Sequence, residues 1–393
     1  MISKRTVLSG VVVVCAATFA FSGGLHLEPE KDEIHFLRSS EGFRGAFSVE
    51  ALRDYRELVT PLALVIWGEL DHLTGDGLYY GRLLNLALTF AMVCLVAFCA
   101  PEHWPRGALA ALGLLLYPYT LPLGVHLYTD TLAVLAVVAG TVALARSRWL
   151  LAWFAFSCAI ATRQYAVQIP AALAAAAALD WLRGERGRWK AVAACVAACA
   201  TLLGWIAFFG GLANEAGIED WVGFYPSPMM HEREFILHHG LYALAGLGVF
   251  FVVVEALLFR RNPVSRELRT ARGVLIALAL AGLFWLDPPV LTMNHPGGPI
   301  GRTMVVYLPA PDYDWARVAI YYVLALLAVG RFAGRLDAGF WLVSSIFVIA
   351  MKQQLPWEKY LFPTLAVLWT LVSLGRLSPS ESPPTAPLPA RTD

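Results

Sequence analysis

The chain has 393 residues, 58% of them hydrophobic and only 15% charged, with a mean hydropathy of +0.60 and a formal net charge of +1. So little charge over this length excludes an ordinary soluble protein and makes the bilayer the expected solvent. A near-neutral balance also excludes a nucleic-acid partner, which needs a basic face.

Residues 1–24 start with Lys4 and Arg5 and continue as an apolar run with small residues. This reads as a first transmembrane helix, with a cleaved signal peptide as the rival reading. Hydropathy then predicts spans near 6–24, 80–100, 107–124, 131–146, 149–162, 166–181, 191–212, 238–258, 273–291, 315–331, 338–352 and 360–375. The expected fold is all-α: a polytopic bundle of about twelve spans over residues 1–376, with membrane lipids as its surroundings. The segment 377–393 is rich in Pro, Ser and Thr and is expected to be a disordered cytoplasmic tail. The six cysteines all lie in apolar segments and read as packing residues. No zinc spacing, Walker loop or dinucleotide fingerprint occurs.

With the N-terminus inside, the cytoplasmic segments hold 18 of the 30 Lys and Arg, including Arg146, Arg148, the run 183–190, the run 260–272, Arg331 and Arg335. That is the bias the positive-inside rule requires. The opposite side then carries the long loop 25–78 and the loops near 125–130, 213–237, 294–314 and 352–359. Within 25–78, Ser48–Leu58 has charges on one helical face, and Leu58–Leu70 is apolar but too short to cross; both are expected to lie along the interface. Trp and Tyr cluster near predicted span ends, as in an aromatic belt.

Ionisable groups concentrate on that non-cytoplasmic side. Asp32-Glu33 opens the first loop, with His35 two residues on. The pair is either ordinary loop charge or a general base for a sugar hydroxyl at a low-dielectric cleft. Asp130, in Leu-Tyr-Thr-Asp-Thr, begins the fourth span and is either a helix cap or a second acid of the same site, the two being compatible. Arg163-Gln164 interrupts an apolar run, where an ionisable group either lines a cavity or snorkels to the interface. Lys359 opens the last span within Pro-Trp-Glu-Lys-Tyr, with Lys352, Gln353 and Gln354 just before it. Arg163 and Lys359 together would put cations at the level of a lipid phosphate, which needs such stabilisation when it departs. His126, the loop Asn294–Gly298 with Arg302 beyond it, and the histidines 231, 238 and 239 are weaker candidates, each with a structural alternative.

Four stretches in this order resemble the GT-C superfamily of membrane glycosyltransferases, and within it the alpha-1,2-glucosyltransferase family acting on lipid-linked oligosaccharide. They are Asp32-Glu33-Ile34-His35 followed by Thr60-Pro61-Leu62; Tyr128-Thr129-Asp130-Thr131 preceded by Tyr117-Pro118; Arg163-Gln164; and Glu358-Lys359-Tyr360-Leu361-Phe362-Pro363, where Arg is more usual than Lys. The resemblance implies inverting transfer from a polyprenyl-phosphate-linked sugar donor to a glycan or lipid acceptor, without a cofactor and generally without a bound metal. It implies Asp32 as base, with Glu33 and Asp130 as further catalytic acids. Arg163 and Lys359, with Arg302 by its position in the loop beyond, would hold the donor phosphate; His35, Gln164, Glu358 and Tyr360, with His126 by its position before Asp130, would bind substrate. The Ala-, Val- and Leu-rich composition suggests a bacterial inner membrane, and the charge bias turns the site toward the periplasm or exterior. Two other readings stay open: a polytopic secondary transporter, and a non-catalytic assembly protein of envelope polysaccharide.

Overall fold

A computed structural model describes residues 3–45, 47–224, 235–264, 266–289, 298–309, 312–353 and 357–377, and every regular element among them is helical. In chain order these are α1 (Lys4–Phe21), α2 (Lys31–Glu41), α3 (Val49–Asp54), α4 (Leu62–Thr74), α5 (Gly77–Phe98), α6 (Trp104–Leu115), α7 (Pro122–Val125), α8 (Thr129–Ala145), α9 (Trp149–Thr162) and α10 (Gln168–Leu182). There follow α11 (Trp189–Phe209), α12 (Glu215–Phe224), α13 (Leu237–Leu247), α14 (Val254–Phe259), α15 (Ala271–Leu286), α16 (Pro299–Tyr307), α17 (Asp314–Phe332), α18 (Ala338–Ala350) and α19 (Phe362–Ser373). Two 3-10 turns, Gln164–Val167 and Glu358–Leu361, lead into α10 and α19. His231, residues 294–297, Gln354 and the expected tail from 378 lie outside the described residues.

Among the described residues, six stretches are long and apolar enough to cross a membrane: Lys4–Phe21, Gly77–Phe98, Gln164–Leu182, Arg186–Phe209, Leu237–Phe259 and Asp314–Phe332. The other six expected spans coincide with α6, α8, α9, α15, α18 and α19, which have 12 to 17 residues. At 1.5 Å per residue these reach roughly 18–26 Å, short of the roughly 30 Å hydrocarbon layer.

The last helix sits at the centre. Every residue of α19 is buried, and it packs against α5, α6, α8, α10 and α18. Small residues permit the approach: a side chain at Gly107 would crowd the Ser373 hydroxyl at 3.0 Å, and one at Gly113 would strike the Trp369 indole. Such close crossings are how helices associate where no hydrophobic gain separates lipid from protein. By contrast α1 packs on α5 and buries only Val11, leaving the rest of its apolar surface outward as a lipid-facing helix would.

The first loop differs from its expected form. Its polar start is helical, because Glu33 in the first turn of α2 accepts the Glu30 backbone N–H at 2.9 Å and so completes half of a capping box. The charged helix expected over 48–58 is shorter, starting where Ser48 accepts the Ala51 N–H at 3.0 Å. The apolar stretch is α4, and it buries Ala63, Leu64, Trp67 and Gly68 against its neighbours α2 and α5.

Candidate functional site

Three distant pieces of chain meet beside the start of α19. Asp32, in the first turn of α2, places Oδ2 3.6 Å from the Lys359 ammonium, and its side chain keeps about a quarter of its surface exposed (26%). Lys359 is itself buried, with Nζ 3.9 Å from the Trp357 ring centre, 5.5 Å from Tyr128 and 5.7 Å from Tyr360. Three aromatic faces around one ammonium supply cation–π attraction in place of water. Tyr360 meets Tyr165 edge-on at 5.7 Å, and the Tyr165 hydroxyl donates to Asp130. Asp130, fully buried in the first turn of α8, receives Arg163 Nη2 at 2.6 Å. The Arg163 guanidinium also lies 5.9 Å from the Phe36 ring of α2, which closes the circle, and its buried Nε has no partner.

Asp32, Asp130, Arg163, Lys359 and Tyr360 therefore form one contiguous cluster, with Asp32 at its open edge. The 3.6 Å separation of Asp32 and Lys359 exceeds a hydrogen bond, whereas Asp130 is tied by two. Of the two acids, only Asp32 combines solvent access with loose partners. Among the described residues no three His, Cys, Asp or Glu side chains converge as a metal site requires.

Glu33 points the opposite way from its neighbour. It is fully buried, and Arg82 of α5 grips it with Nε at 2.9 Å and Nη2 at 2.7 Å. The Leu127 N–H donates at 2.6 Å and the His126 ring nitrogen lies at 3.0 Å. Arg82 spends its remaining donors on the carbonyls of Leu25, Leu27 and Glu28 at 2.9, 2.7 and 3.5 Å. Leu25 accepts a φ of +71°, a region costly for a non-glycine residue, while presenting that carbonyl. Glu33 and His126, expected at the chemistry, instead lock α1's exit, α2, α5 and the segment before α8 together. A carboxylate with every lone pair taken has none left for a substrate proton. Asn85 completes the lock by donating to the carbonyls of His126 and Tyr128 at 2.8 and 3.0 Å.

Burial alone would push the Glu33 carboxyl up. The bonds from Arg82, His126 and the N–H groups of Glu30 and Leu127 outweigh it and hold the group at about 2, against 4.5 when free. A depressed acid stabilises the fold above its unfolded value and loses that stabilisation as pH falls through its folded one. The Glu33 contribution is thus expected to persist above pH 4.5 and to fade between about 4.5 and 2. Denaturation midpoints across that range, compared with Glu33→Gln, should show a reduced acid loss in the variant; parallel curves would contradict this account.

The remaining candidates sit around the cluster rather than in it. Gln164 turns its amide to the carbonyls of Leu58 and Leu212, at 2.5 and 3.0 Å, and so joins two loops. Glu358 faces away from Lys359, taking the Tyr242 hydroxyl and the Ile300 N–H at the start of α16, the latter at 2.8 Å. Its other oxygen is buried without a partner, and burial raises this carboxyl above the ordinary range. Since among the described residues no ion pair holds Glu358, Glu358→Gln is expected to change stability far less than Glu33→Gln, which strands Arg82; equal losses in thermal unfolding would refute the contrast. Arg302 lies on the exposed side of α16, and His35 lines a separate cleft. Away from the cluster, His238 pairs with Asp287 at 2.9 Å and His239 with the Gln353 carbonyl at 2.8 Å.

Sequence reasoning passed over Arg82, Asn85 and Tyr165. The first two had a usable signal, being polar side chains inside an apolar span. Tyr165 had none beyond standing next to Arg163-Gln164.

Comparison with family models, curated proteins and solved structures returns no match in any of the three. The functional reading rests on the site.

Proposed function

We propose that the protein is an inverting glycosyltransferase of GT-C type. It moves a sugar from a polyprenyl-phosphate carrier to a glycan or lipid acceptor on the non-cytoplasmic side of the membrane. The observation that carries this reading is the convergence of Asp32, Asp130, Arg163 and Lys359 from α2, α8, the end of α9 and the entry to α19. Had the two acids pointed into separate loops, no single site could have used them.

Asp32 accepts the proton of the acceptor hydroxyl as that oxygen attacks the anomeric carbon from the face opposite the phosphate. The bond from that carbon to the phosphate oxygen breaks, and its electron pair leaves with the polyprenyl phosphate. Lys359 meets the developing charge by exchanging its loose 3.6 Å contact with Asp32 for the phosphate, which departs across the anomeric carbon from that base. Arg163 is engaged by Asp130, so its first role is to hold that acid and the start of α8; its unpartnered Nε leaves one donor for the phosphate. Tyr165 and Asp130 keep Arg163 in place, a positioning role.

Mass analysis of lipid-linked sugars tests the activity. A strain lacking the protein is expected to accumulate a polyprenyl-phosphate sugar and an unmodified acceptor. Substrate counterflow in proteoliposomes, with no such accumulation, would replace the enzyme by a transporter.

A further inference from the structure

The end of α19 remote from Lys359 gathers guanidinium groups from distant parts of the chain around one acid. Glu255, buried in α14, accepts Arg331 of α17 through Nε at 2.8 Å and Nη2 at 3.1 Å. It also accepts Arg261, just beyond α14, through Nη1 at 3.1 Å. Arg106 joins them from the first turn of α6, which packs on both α14 and α19. Its Nη1 stands 2.8 Å from where a side chain would begin at Gly375, which follows α19 with a φ of +68°. We propose that this cluster binds the phosphate of an anionic phospholipid, whose acyl chains lie along α6 and α14.

The inference is independent of the glycosyltransferase reading. Both Glu255 oxygens are taken by Arg331 and Arg261, whereas Arg106 makes no ion pair among the described residues. Glu102, one turn earlier, is exposed and does not pair with it. The carbonyls that end α19 are occupied by the backbone N–H groups of Leu374, Gly375 and Arg376. Along the adjoining stretch 260–272, Glu267 is the single acid against five arginines, so that stretch adds to the surplus whichever of them it meets. Burial and the like charges of Arg331 and Arg106 hold the Arg261 guanidinium below its ordinary value, although Glu255 pulls the other way. A phosphate between Arg106 and Arg261 relieves that repulsion, because guanidinium groups take phosphate oxygens through charge-assisted hydrogen bonds.

Apolar surface beside the cluster selects a lipid over a soluble phosphate. Leu257 of α14 and Leu112 of α6, with Leu116 just after α6, are left exposed. Leu112 and Leu116 follow Arg106 at about 9 and 15 Å along the helix axis, the direction that acyl chains take from a headgroup. The charge bias assigns this end to the cytoplasm, where basic pockets between helices hold anionic headgroups. Arg261 keeps 22% of its side chain exposed for that contact, while Arg331, at 8%, stays with Glu255.

The test is lipid retention by the full chain in maltoside micelles, read by native mass spectrometry, with phosphatidylglycerol as the anionic probe and phosphatidylcholine as the neutral one. Phosphatidylglycerol is expected to bind saturably and to raise the unfolding midpoint, and phosphatidylcholine at the same concentration to do neither. Arg106→Gln and Arg261→Gln should each weaken phosphatidylglycerol binding about fivefold. Neither strands a buried charge, since Glu255 keeps its bonds from Arg331, so both variants should unfold like the wild type without lipid. Arg186→Gln, an exposed arginine of the turn between α10 and α11, is the control and should bind like the wild type. Equal retention of the two lipids, unchanged affinity in both cluster variants, or an equal loss in Arg186→Gln would overturn the site. Glycerol phosphate, the headgroup without chains, should not displace the lipid; displacement at equal concentration would overturn the assignment to a lipid.

Discussion

Asp32→Asn is expected to lower sugar transfer by about 10²–10⁴-fold, the range that a positioned general base contributes. The substitution keeps shape and removes only the ability to take a proton. Asp32 is partly exposed and its single ion pair is long, so folding and insertion should be almost unchanged. Lys359 retains its three aromatic neighbours in the variant, so the cation site survives. Asp130→Asn provides the contrast. It removes the partner of a buried Arg163 and should cost stability as well as activity, about 3–5 kcal/mol for a broken buried pair. The measurement is initial transfer rate beside the unfolding midpoint for each variant. Near-normal turnover in Asp32→Asn would end its assignment as base.

The second large effect is structural. Arg82→Met should destabilise the fold by about 3–5 kcal/mol, because it leaves the Glu33 carboxylate buried without its counter-charge. It also frees three carbonyls that Arg82 satisfies, those of Leu25, Leu27 and Glu28. The diagnostic is the double variant Glu33→Leu with Arg82→Met. An apolar pair of similar volume removes both charges, so the double variant should recover a good part of the loss. If the two single effects simply add, the pair is not the lock described above. Transfer should fall in Arg82→Met too, since α2 and the segment before α8 both lean on this network and carry Asp32 and Asp130.

These expectations show which parts of the site were readable in the chain. Asp32, Asp130, Arg163 and Lys359 stood out because each is an ionisable group bordering or interrupting an apolar run, where its cost demands a reason. The structure brings all four into one cluster. The neighbouring Glu33 was equally visible, yet its direction was not: i and i+1 point about 100° apart on a helix, and the polar start of this segment carries no apolar periodicity that marks it as helix. Gln164, Glu358 and His126 were legible as polar groups at the correct end, but whether each meets a backbone carbonyl, a tyrosine or a substrate depends on residues up to 116 positions away.

Apolar periodicity and charge placement in the sequence alone determined a helical membrane-type chain, its helix order and the end of the bundle that gathers acids. Those properties are set locally, by transfer of side chains into an apolar medium and by backbone groups satisfied within each helix. Only the tertiary structure decided that α19 forms the axis, that Arg82 neutralises Glu33, and that of Asp32 and Asp130 it is Asp32 that stays accessible beside a cation. Ion pairing inside a bundle is a contest among distant groups for a few desolvated partners, and its outcome depends on distances of a few ångströms that no stretch of sequence contains.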